Sequence, residues 1–324
     1  MTSVHSKASA ALAFPGAADA FEWTEVTYDG RTYVTGEDIK AFYRFETYTN
    51  SGGRVVFSSK TTEMRLTAGT PNLYINGVMF HLSRSTLRRG GKVLFTRTDL
   101  DALIDPVLRP SSIGRTRERR ITTVIIDPGH GGYDTGSKSV YGGNEKEYTL
   151  RLANILKREL ERKGFRVRMT RSGDTFPSLA SRVVFANRVP DALFISLHFN
   201  HHTSRSTHGL ETFALLPRGA PGLRRGSAGT DAQSLIGNGR DAENIALATA
   251  VHSAVLRKTR ARDRGIKRER FAVLKNVDHP AILIEGGFLS HRDEARKIAS
   301  TSYLALMAAG IADACATYRN ALRP

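Results

Sequence analysis

From residue 121 onward the sequence alternates short apolar runs with longer amphipathic segments, and this alternation restricts the fold more than any other feature. The runs "TTVIID" (122–127), "ALFISLH" (192–198) and "AILIEGG" (281–287) are typical of buried strands. The segment 144–164 has its large aliphatic residues on one helical face. We therefore predict an α/β fold, with a mixed, mostly parallel sheet flanked by helices on both faces.

The same reasoning predicts the remaining elements of this region. Further strands are expected at 165–170, 208–216 and 272–276, and further helices at 179–189, 242–258 and 294–318. In such sheets ligands collect at the carboxyl ends of the strands. The predicted α/β domain spans residues 122–320.

Residues 22–110 contain an internal repeat, which predicts a separate small α+β domain. "GRTYVTGEDIKA" (30–41) returns as "GKVLFTRTDLDA" (91–102), and each copy reads as a strand followed by a helix capped by threonine. Asn76-Gly77 is a hairpin signal between the copies. The region resembles the small N-terminal domain of copper amine oxidases. It offers no copper ligand set, and His81 is interpreted as an ordinary histidine.

The remaining segments and the composition set broader limits. Residues 1–21 are interpreted as a weak leader or a disordered tail, and the arginine-rich segment 111–121 as a basic linker, with a polyanion-binding arm as the alternative. The single cysteine, Cys315, excludes an internal disulfide framework. No apolar run is long enough for a transmembrane segment. A net charge of +17 fits an anionic polymer as partner, and an arginine-rich surface without a partner is the alternative.

Chemically active side chains occur at the ends of three predicted strands. His130 follows the first strand within "DPGHGG", His198 ends the second, and Glu285 ends the last. Glu145 lies in the first turn of the helix at 144–164. Two imidazoles and one carboxylate are typical ligands of an open zinc site. A second carboxylate, Glu285, would then move protons during hydrolysis by activated water.

Several motifs together identify a family. "IIDPGHGGYDTG", "NEKEYTLRLA", "SLHFN" and "ILIEGGFLS" resemble, in order and spacing, the zinc-dependent N-acetylmuramoyl-L-alanine amidases of the type-3 group, with support from "MTRSGD" and "LASRVVFAN". The resemblance covers residues 122–318. It implies a phosphorylase/hydrolase-like fold. It also implies one zinc ion held by His130, Glu145 and His198, with Glu285 as the catalytic carboxylate.

The resemblance also implies the substrate and the setting. The expected activity is cleavage of the peptidoglycan amide between N-acetylmuramic acid and L-alanine, in the periplasm or outside the cell. Asn200 and Arg264 are candidate substrate contacts, an activator protein is a candidate partner, and no nucleic-acid partner is expected. The alternatives are a zinc peptidase or other amidohydrolase on this scaffold, or a non-catalytic wall-binding protein.

Some residues near the motifs have competing interpretations. Glu147 is the alternative ligand to Glu145, and His201 and His202 are interpreted as surface residues of a loop. His279 is interpreted either as structural or as part of a substrate groove. The glycine-rich segment 216–244 predicts a flexible rim or lid, and the alternative is an inhibitory segment with Asp231, Asp241 or Glu243 on the metal.

Overall fold

The computed structural model describes residues 21–116, 121–222 and 233–321, which fall into two compact units. The first unit extends to Ile104 and the second begins at Asp105. The proposed leader lies almost entirely outside the described residues. The segment interpreted as a linker begins within a short 3-10 helix, Pro110–Thr116, and its residues 117–120 also lie outside. No single helix in the described ranges is both long enough and apolar enough to cross a bilayer.

The described residues of the first unit, from residue 21 onward, form nine strands and short helices. The strands are β1 (Glu25–Tyr28), β2 (Arg31–Thr35), β3 (Thr47–Ser51), β4 (Arg54–Ser58), β5 (Glu63–Thr67), β6 (Asn72–Ile75), β7 (Val78–His81), β8 (Leu87–Arg89) and β9 (Lys92–Thr96). The α-helices are α1 (Gly36–Phe42) and α2 (Arg97–Asp99), and a π-helix, Leu100–Ile104, continues α2. One antiparallel sheet has the order β1-β2-β9-β8, and β3 to β7 pair in chain order as an antiparallel meander.

Local sequence signals explain how these elements begin and turn. The Thr35 hydroxyl accepts a hydrogen bond from the Asp38 amide, and Thr96 accepts one from Asp99, so each repeat copy starts its helix with the predicted cap. Asn76 and Gly77 have φ values of 49° and 80°, which are typical of a tight hairpin turn between β6 and β7. Each copy of the repeat is thus a strand followed by a capped helix, and the hairpin turn at Asn76-Gly77 lies between β6 and β7.

The described residues of the second unit contribute six strands to a mixed sheet. Its strands are β10 (Thr123–Pro128), β11 (Arg166–Met169), β12 (Ala192–Asn200), β13 (Leu210–Leu215), β14 (Asp263–Glu269) and β15 (Ala281–Phe288). Their order is β11-β10-β12-β15-β13-β14, and only the β13–β15 pair is antiparallel. Every residue of β10 is buried, as its apolar run predicts for a central strand.

Helices of varied length accompany this sheet. They are α3 (Asp105–Leu108), α4 (Glu145–Arg162), α5 (Leu179–Asn187), α6 (Asp241–Thr259), α7 (Ala272–Lys275), α8 (Arg292–Ala299) and α9 (Thr301–Ala321). In α4 the apolar residues Leu152, Leu156 and Leu160 are fully buried or nearly so. The mixed α/β fold with a mostly parallel sheet is confirmed.

Two predictions about elements are wrong. Residues 272–276, expected as a strand, form one helical turn, because a short apolar run does not by itself distinguish a strand from a buried turn. The strand in this region is instead β14, whose charged sequence "DRGIKRE" obscures its buried Ile266. The expected closing helix is two helices that meet at an angle of 80°, with a break at Ser300.

Candidate active site

The turn after β10 holds His130 in a backbone conformation that few side chains adopt. Its φ is 61°, and the following glycines, Gly131 and Gly132, also have positive φ values. A left-handed conformation costs a non-glycine residue roughly 1–2 kcal/mol. The surroundings offset this cost, because the Arg182 guanidinium donates to the His130 carbonyl at 2.8 Å. The turn therefore projects one imidazole from a backbone that is otherwise almost free of side chains.

Glycines around this turn leave the space that the site needs. A Cβ atom added at Gly129 would lie 2.3 Å from the His198 ring, and one at Gly136 would lie 2.6 Å from the His130 ring. A Cβ at Gly131 would lie 2.1 Å from the Thr175 carbonyl oxygen. Real Cβ atoms do not come this close to other heavy atoms. Gly129 and Gly136 thus allow the two histidine rings to approach the same point.

Three side chains meet at the ends of β10 and β12 and the start of α4. His130 Nε2 lies 3.1 Å from Glu145 Oε1, and His198 Nδ1 lies 3.0 Å from the same oxygen. One ligand atom from each of the three residues lies within 4.8 Å of the others, an arrangement that could hold a metal ion. Two imidazoles with one carboxylate form the donor set of an open zinc site. The donor set and the glycine cradle therefore fit a single small cation.

The Glu145 carboxylate is fixed by the backbone around it. Its Oε2 accepts a hydrogen bond from the Ser137 amide at 2.9 Å, and its Oε1 accepts one from the Phe199 amide at 3.1 Å. Burial opposes ionisation, but hydrogen bonds and positive charge from His130 and His198 outweigh it and hold the pKa of Glu145 well below its usual range. The side chain is therefore ionised and oriented for a cation.

Asp134 lies behind His130 and orients its ring. The Asp134 carboxylate oxygen lies 2.9 Å from His130 Nδ1, on the opposite side of the ring from Glu145. Burial lowers the pKa of His130, but the hydrogen bonds and charges of Glu145 and Asp134 outweigh it and raise that pKa above its ordinary value. A carboxylate behind a ligating imidazole is a recurrent feature of metal sites. Sequence reasoning missed Asp134, although its spacing of four residues after His130 was an available signal.

Glu285 lies beside this cluster on the neighbouring strand. In the sheet it pairs with His198 on one side and with Glu211 on the other, so the three side chains point to the same face. Its Oε2 is buried without a hydrogen-bond partner among the described residues. Burial, followed by the charges of Glu145 and Glu211, raises the pKa of Glu285 well above its ordinary value. It is a carboxyl group suited to holding a proton.

Beyond Glu285, the buried Glu211 connects the two predicted substrate contacts. Arg264 Nε and Lys267 Nζ each donate to Glu211 Oε1 at 2.7 Å, and Asn200 Nδ2 donates to Glu211 Oε2 at 3.0 Å. Asn200 and Arg264 thus come together, next to Glu285, as partners of one carboxylate. Sequence reasoning missed Glu211 and Lys267, because neither stands in a motif with an obvious catalytic pattern.

Two buried arginines donate hydrogen bonds to the backbone of the turn after β10. Arg182 forms an ion pair with Asp127 at 2.7 Å and donates to the Pro128 carbonyl. Arg171 donates to the carbonyls of Pro128 and Gly129. These contacts account for the motifs "MTRSGD" and "LASRVVFAN", whose arginines hold the backbone that carries His130.

The other candidates lie away from the three-residue cluster. His201 and His202 are exposed, and His279 is buried, with its Nε2 3.1 Å from the Ala186 carbonyl oxygen. Glu147 accepts from the Asn144 amide and caps α4. Asp241 accepts from Asn238, and Glu243 pairs with Arg240. Asp231 lies outside the described residues.

The region that carries this site is similar to known proteins. The family model described as N-acetylmuramoyl-L-alanine amidase matches residues 124–317. The chain is 28% identical over 231 residues to N-acetylmuramoyl-L-alanine amidase AmiC of Escherichia coli O6:H1, covering 64% of this chain and 55% of that protein. It is 30% identical over 217 residues to amidase AmiA of Escherichia coli K12, covering 60% of this chain and 75% of that protein.

A solved structure gives a corresponding result. The N-acetylmuramoyl-L-alanine amidase of Clostridium difficile 630 superposes with a TM-score of 0.51 at 32% identity. The match covers 62% of this chain and 98% of that structure. The similarity therefore covers the second unit, with its site.

Proposed function

The chain belongs to the N-acetylmuramoyl-L-alanine amidase family, and from this premise we propose that it hydrolyses the amide between N-acetylmuramic acid and the L-alanine of peptidoglycan. The observation that carries the proposal is the cluster of His130, Glu145 and His198 beside Glu285, whose buried Oε2 has no hydrogen-bond partner among the described residues. Because the aligned region spans only 55% of AmiC, the relatives' activity is extended to this protein as a proposal.

We propose that His130, Glu145 and His198 hold one zinc ion. When bound, zinc polarises a carbonyl group and lowers the pKa of a coordinated water. Asp134 fixes the ring of His130 so that Nε2 faces the site. The amides of Ser137 and Phe199 keep the carboxylate of Glu145 in place.

Glu285 is the group that we assign to proton transfer. Its carboxylate takes the proton from the attacking water and delivers it to the departing L-alanine nitrogen, so the amide C–N bond breaks without a covalent enzyme intermediate. Burial and the charges of Glu145 and Glu211 raise the pKa of Glu285 in the metal-free chain, so the carboxyl can hold the proton between these two steps. A cation bound beside it would favour the ionised carboxylate that starts the reaction. Asn200 and Arg264, held by Glu211, lie where they can orient the substrate.

The proposed substrate indicates the cellular location in which the protein acts. Peptidoglycan lies outside the cytoplasmic membrane, so we propose a periplasmic or extracellular location. The net charge of +17 would favour retention on an anionic wall. An activator protein remains a candidate partner.

The test is digestion of purified sacculi followed by mass spectrometry of the soluble products. We expect intact glycan strands and peptides with free L-alanine amino termini, lost after chelation and restored by zinc. His198→Ala should abolish release, whereas the matched variant His201→Ala should stay within twofold of the wild type, because His201 is exposed and outside the cluster.

Other products would contradict the proposal in a recognisable way. Peptides cleaved at a different bond would indicate a zinc peptidase. Sedimentation of the protein with sacculi, without any released product, would indicate a wall-binding protein.

A further inference from the structure

The first unit carries a groove that the amide-cleaving site does not use. It lies on the meander at the end where the β3–β4 and β5–β6 turns meet, and the Ala68 amide donates to the Gly53 carbonyl between these turns. The groove has a volume of about 370 Å³, within the usual range for small-ligand sites.

Strand register places five polar or aromatic side chains of the groove on one face of the meander. Arg54 pairs with Thr67, and Arg65 pairs with Tyr74, so the members of each pair point the same way. Asn72 shares the face of Tyr74, because it lies two residues away on the same strand. The opposite face carries the core residues of these strands, including Phe57 and Met64. The groove side is therefore available for a ligand.

The charge of the groove is positive. None of the described residues that line it is acidic. Arg65 pairs with Glu63 at 3.3 Å at the margin, and its guanidinium lies 4.3 Å from the centre of the Tyr74 ring, which holds it in position. Arg54 has no carboxylate within ion-pair distance in the described part of the chain. The groove therefore offers a guanidinium group that a ligand's anion can neutralise.

The neutral part of the lining suits a hydroxylated ligand. Thr67, Thr70 and Asn72 also line the groove and carry hydroxyl or amide groups. The Thr70 hydroxyl donates to the Thr67 carbonyl at 2.8 Å and can still accept a hydrogen bond from a ligand. A simple inorganic anion offers only acceptor atoms, so it would leave the accepting oxygens of these side chains unused. A sugar ring that bears an acidic substituent would use both kinds of contact.

We propose that this groove binds an anionic saccharide, with Arg54 and Arg65 contacting a carboxylate or phosphate and Thr67, Thr70 and Asn72 contacting ring hydroxyl or amide groups. The first unit then holds the chain on a glycan while the second unit acts on it. The binding itself does not depend on the activity proposed for the second unit.

The experiment measures binding of three matched sugars to the full chain by isothermal titration calorimetry. N-acetylmuramic acid carries a carboxylate, N-acetylglucosamine 6-phosphate carries a phosphate, and N-acetylglucosamine is neutral. We expect at least one acidic sugar to bind about tenfold more tightly than the neutral one. The acidic sugar that binds more tightly identifies the source of the anion as the glycan strand or a phosphate-bearing wall polymer.

Matched variants locate the binding site. Arg54→Gln and Arg65→Gln should each weaken binding of the acidic sugar about tenfold, the effect of losing one charge-assisted contact. Arg89→Gln is the control, because Arg89 also lies over a tyrosine, Tyr28, but in the other sheet. It removes the same charge and should change affinity less than twofold. Any binding at the second unit is common to all variants.

Three results would overturn the proposal. They are no measurable binding of either acidic sugar, equal affinity for the neutral sugar, and equal affinities of Arg54→Gln and Arg89→Gln. Thermal unfolding of each variant confirms that it is folded before the comparison is made.

Discussion

Asp127 and Glu285 are carboxylates near the ends of two strands that flank β12, yet their surroundings are opposite. Asp127 accepts hydrogen bonds from Thr170 at 2.6 Å, Arg182 at 2.7 Å and Ser196 at 2.8 Å. Glu285 has a buried oxygen without a partner among the described residues. The first carboxylate is committed to holding the backbone that carries His130, and the second is left available for a proton.

Asp127 and Glu285 have different roles, although the sequences around them are similar. "IIDPG" and "ILIEGG" both place an acidic residue after an apolar run and before glycine. The buried charge of Asp127 is compensated within the protein, as structural charges must be. A buried carboxyl without compensation favours its protonated form and is typical of functional sites.

The largest effect should come from Glu285→Gln. Because general acid–base groups contribute about 10²- to 10⁴-fold, we expect kcat for peptide release from sacculi to fall by about that factor. The midpoint of chemical unfolding and the bound zinc content should stay near the wild-type values. Retained activity would show that the unpartnered carboxyl is not the proton carrier.

Arg182→Met tests the other side of the comparison. Removing one partner of a buried ion pair leaves Asp127 uncompensated, so the free energy of unfolding should fall by about 3–5 kcal/mol in a denaturant titration. The double variant Asp127→Asn with Arg182→Met serves as the control, and it should lose less than the sum of the single losses. Additive losses would contradict a coupled, structural pair.

The smallest of these effects is expected from Asp134→Asn. Removing the charge behind a ligating histidine typically costs about 10- to 100-fold in metal affinity. Competition with a zinc-binding dye measures this change directly. The free energy of unfolding in chelator should change little, because Asp134 is partly exposed. Unchanged zinc affinity would mean that Asp134 has no role in orienting His130.

Much of this arrangement could be predicted from sequence. The polar residues at the ends of β10, β12 and β15 stand out because the runs before them are so apolar, and a mostly parallel sheet brings such ends together. Whether His130, Glu145, His198 and Glu285 act as assigned stays a prediction for the experiments above.

Other parts of the fold and of the site depend on contacts between residues distant in the sequence, which no local sequence pattern indicates. Glu211 lies on β13, which pairs antiparallel with β15 and parallel with β14, the strand that carries Lys267. This pairing is set by the whole sheet. The strand β14 was missed because its sequence is mostly charged, and its Arg268 is nevertheless buried. The sequence around Ser300 contains no proline or glycine, so it does not indicate the break between α8 and α9.

The two backbone amides that hold Glu145 have a consequence for how a cation enters. The carboxylate of Glu145 is already ionised and held in one orientation before a cation binds. Binding therefore costs little conformational entropy, because the cluster of His130, Glu145 and His198 is preorganised. The raised pKa of His130 favours the protonated imidazole, and this proton must leave before the ring can bind a cation. Uptake of the ion should therefore release protons and weaken in acid, while the fold stays essentially unchanged.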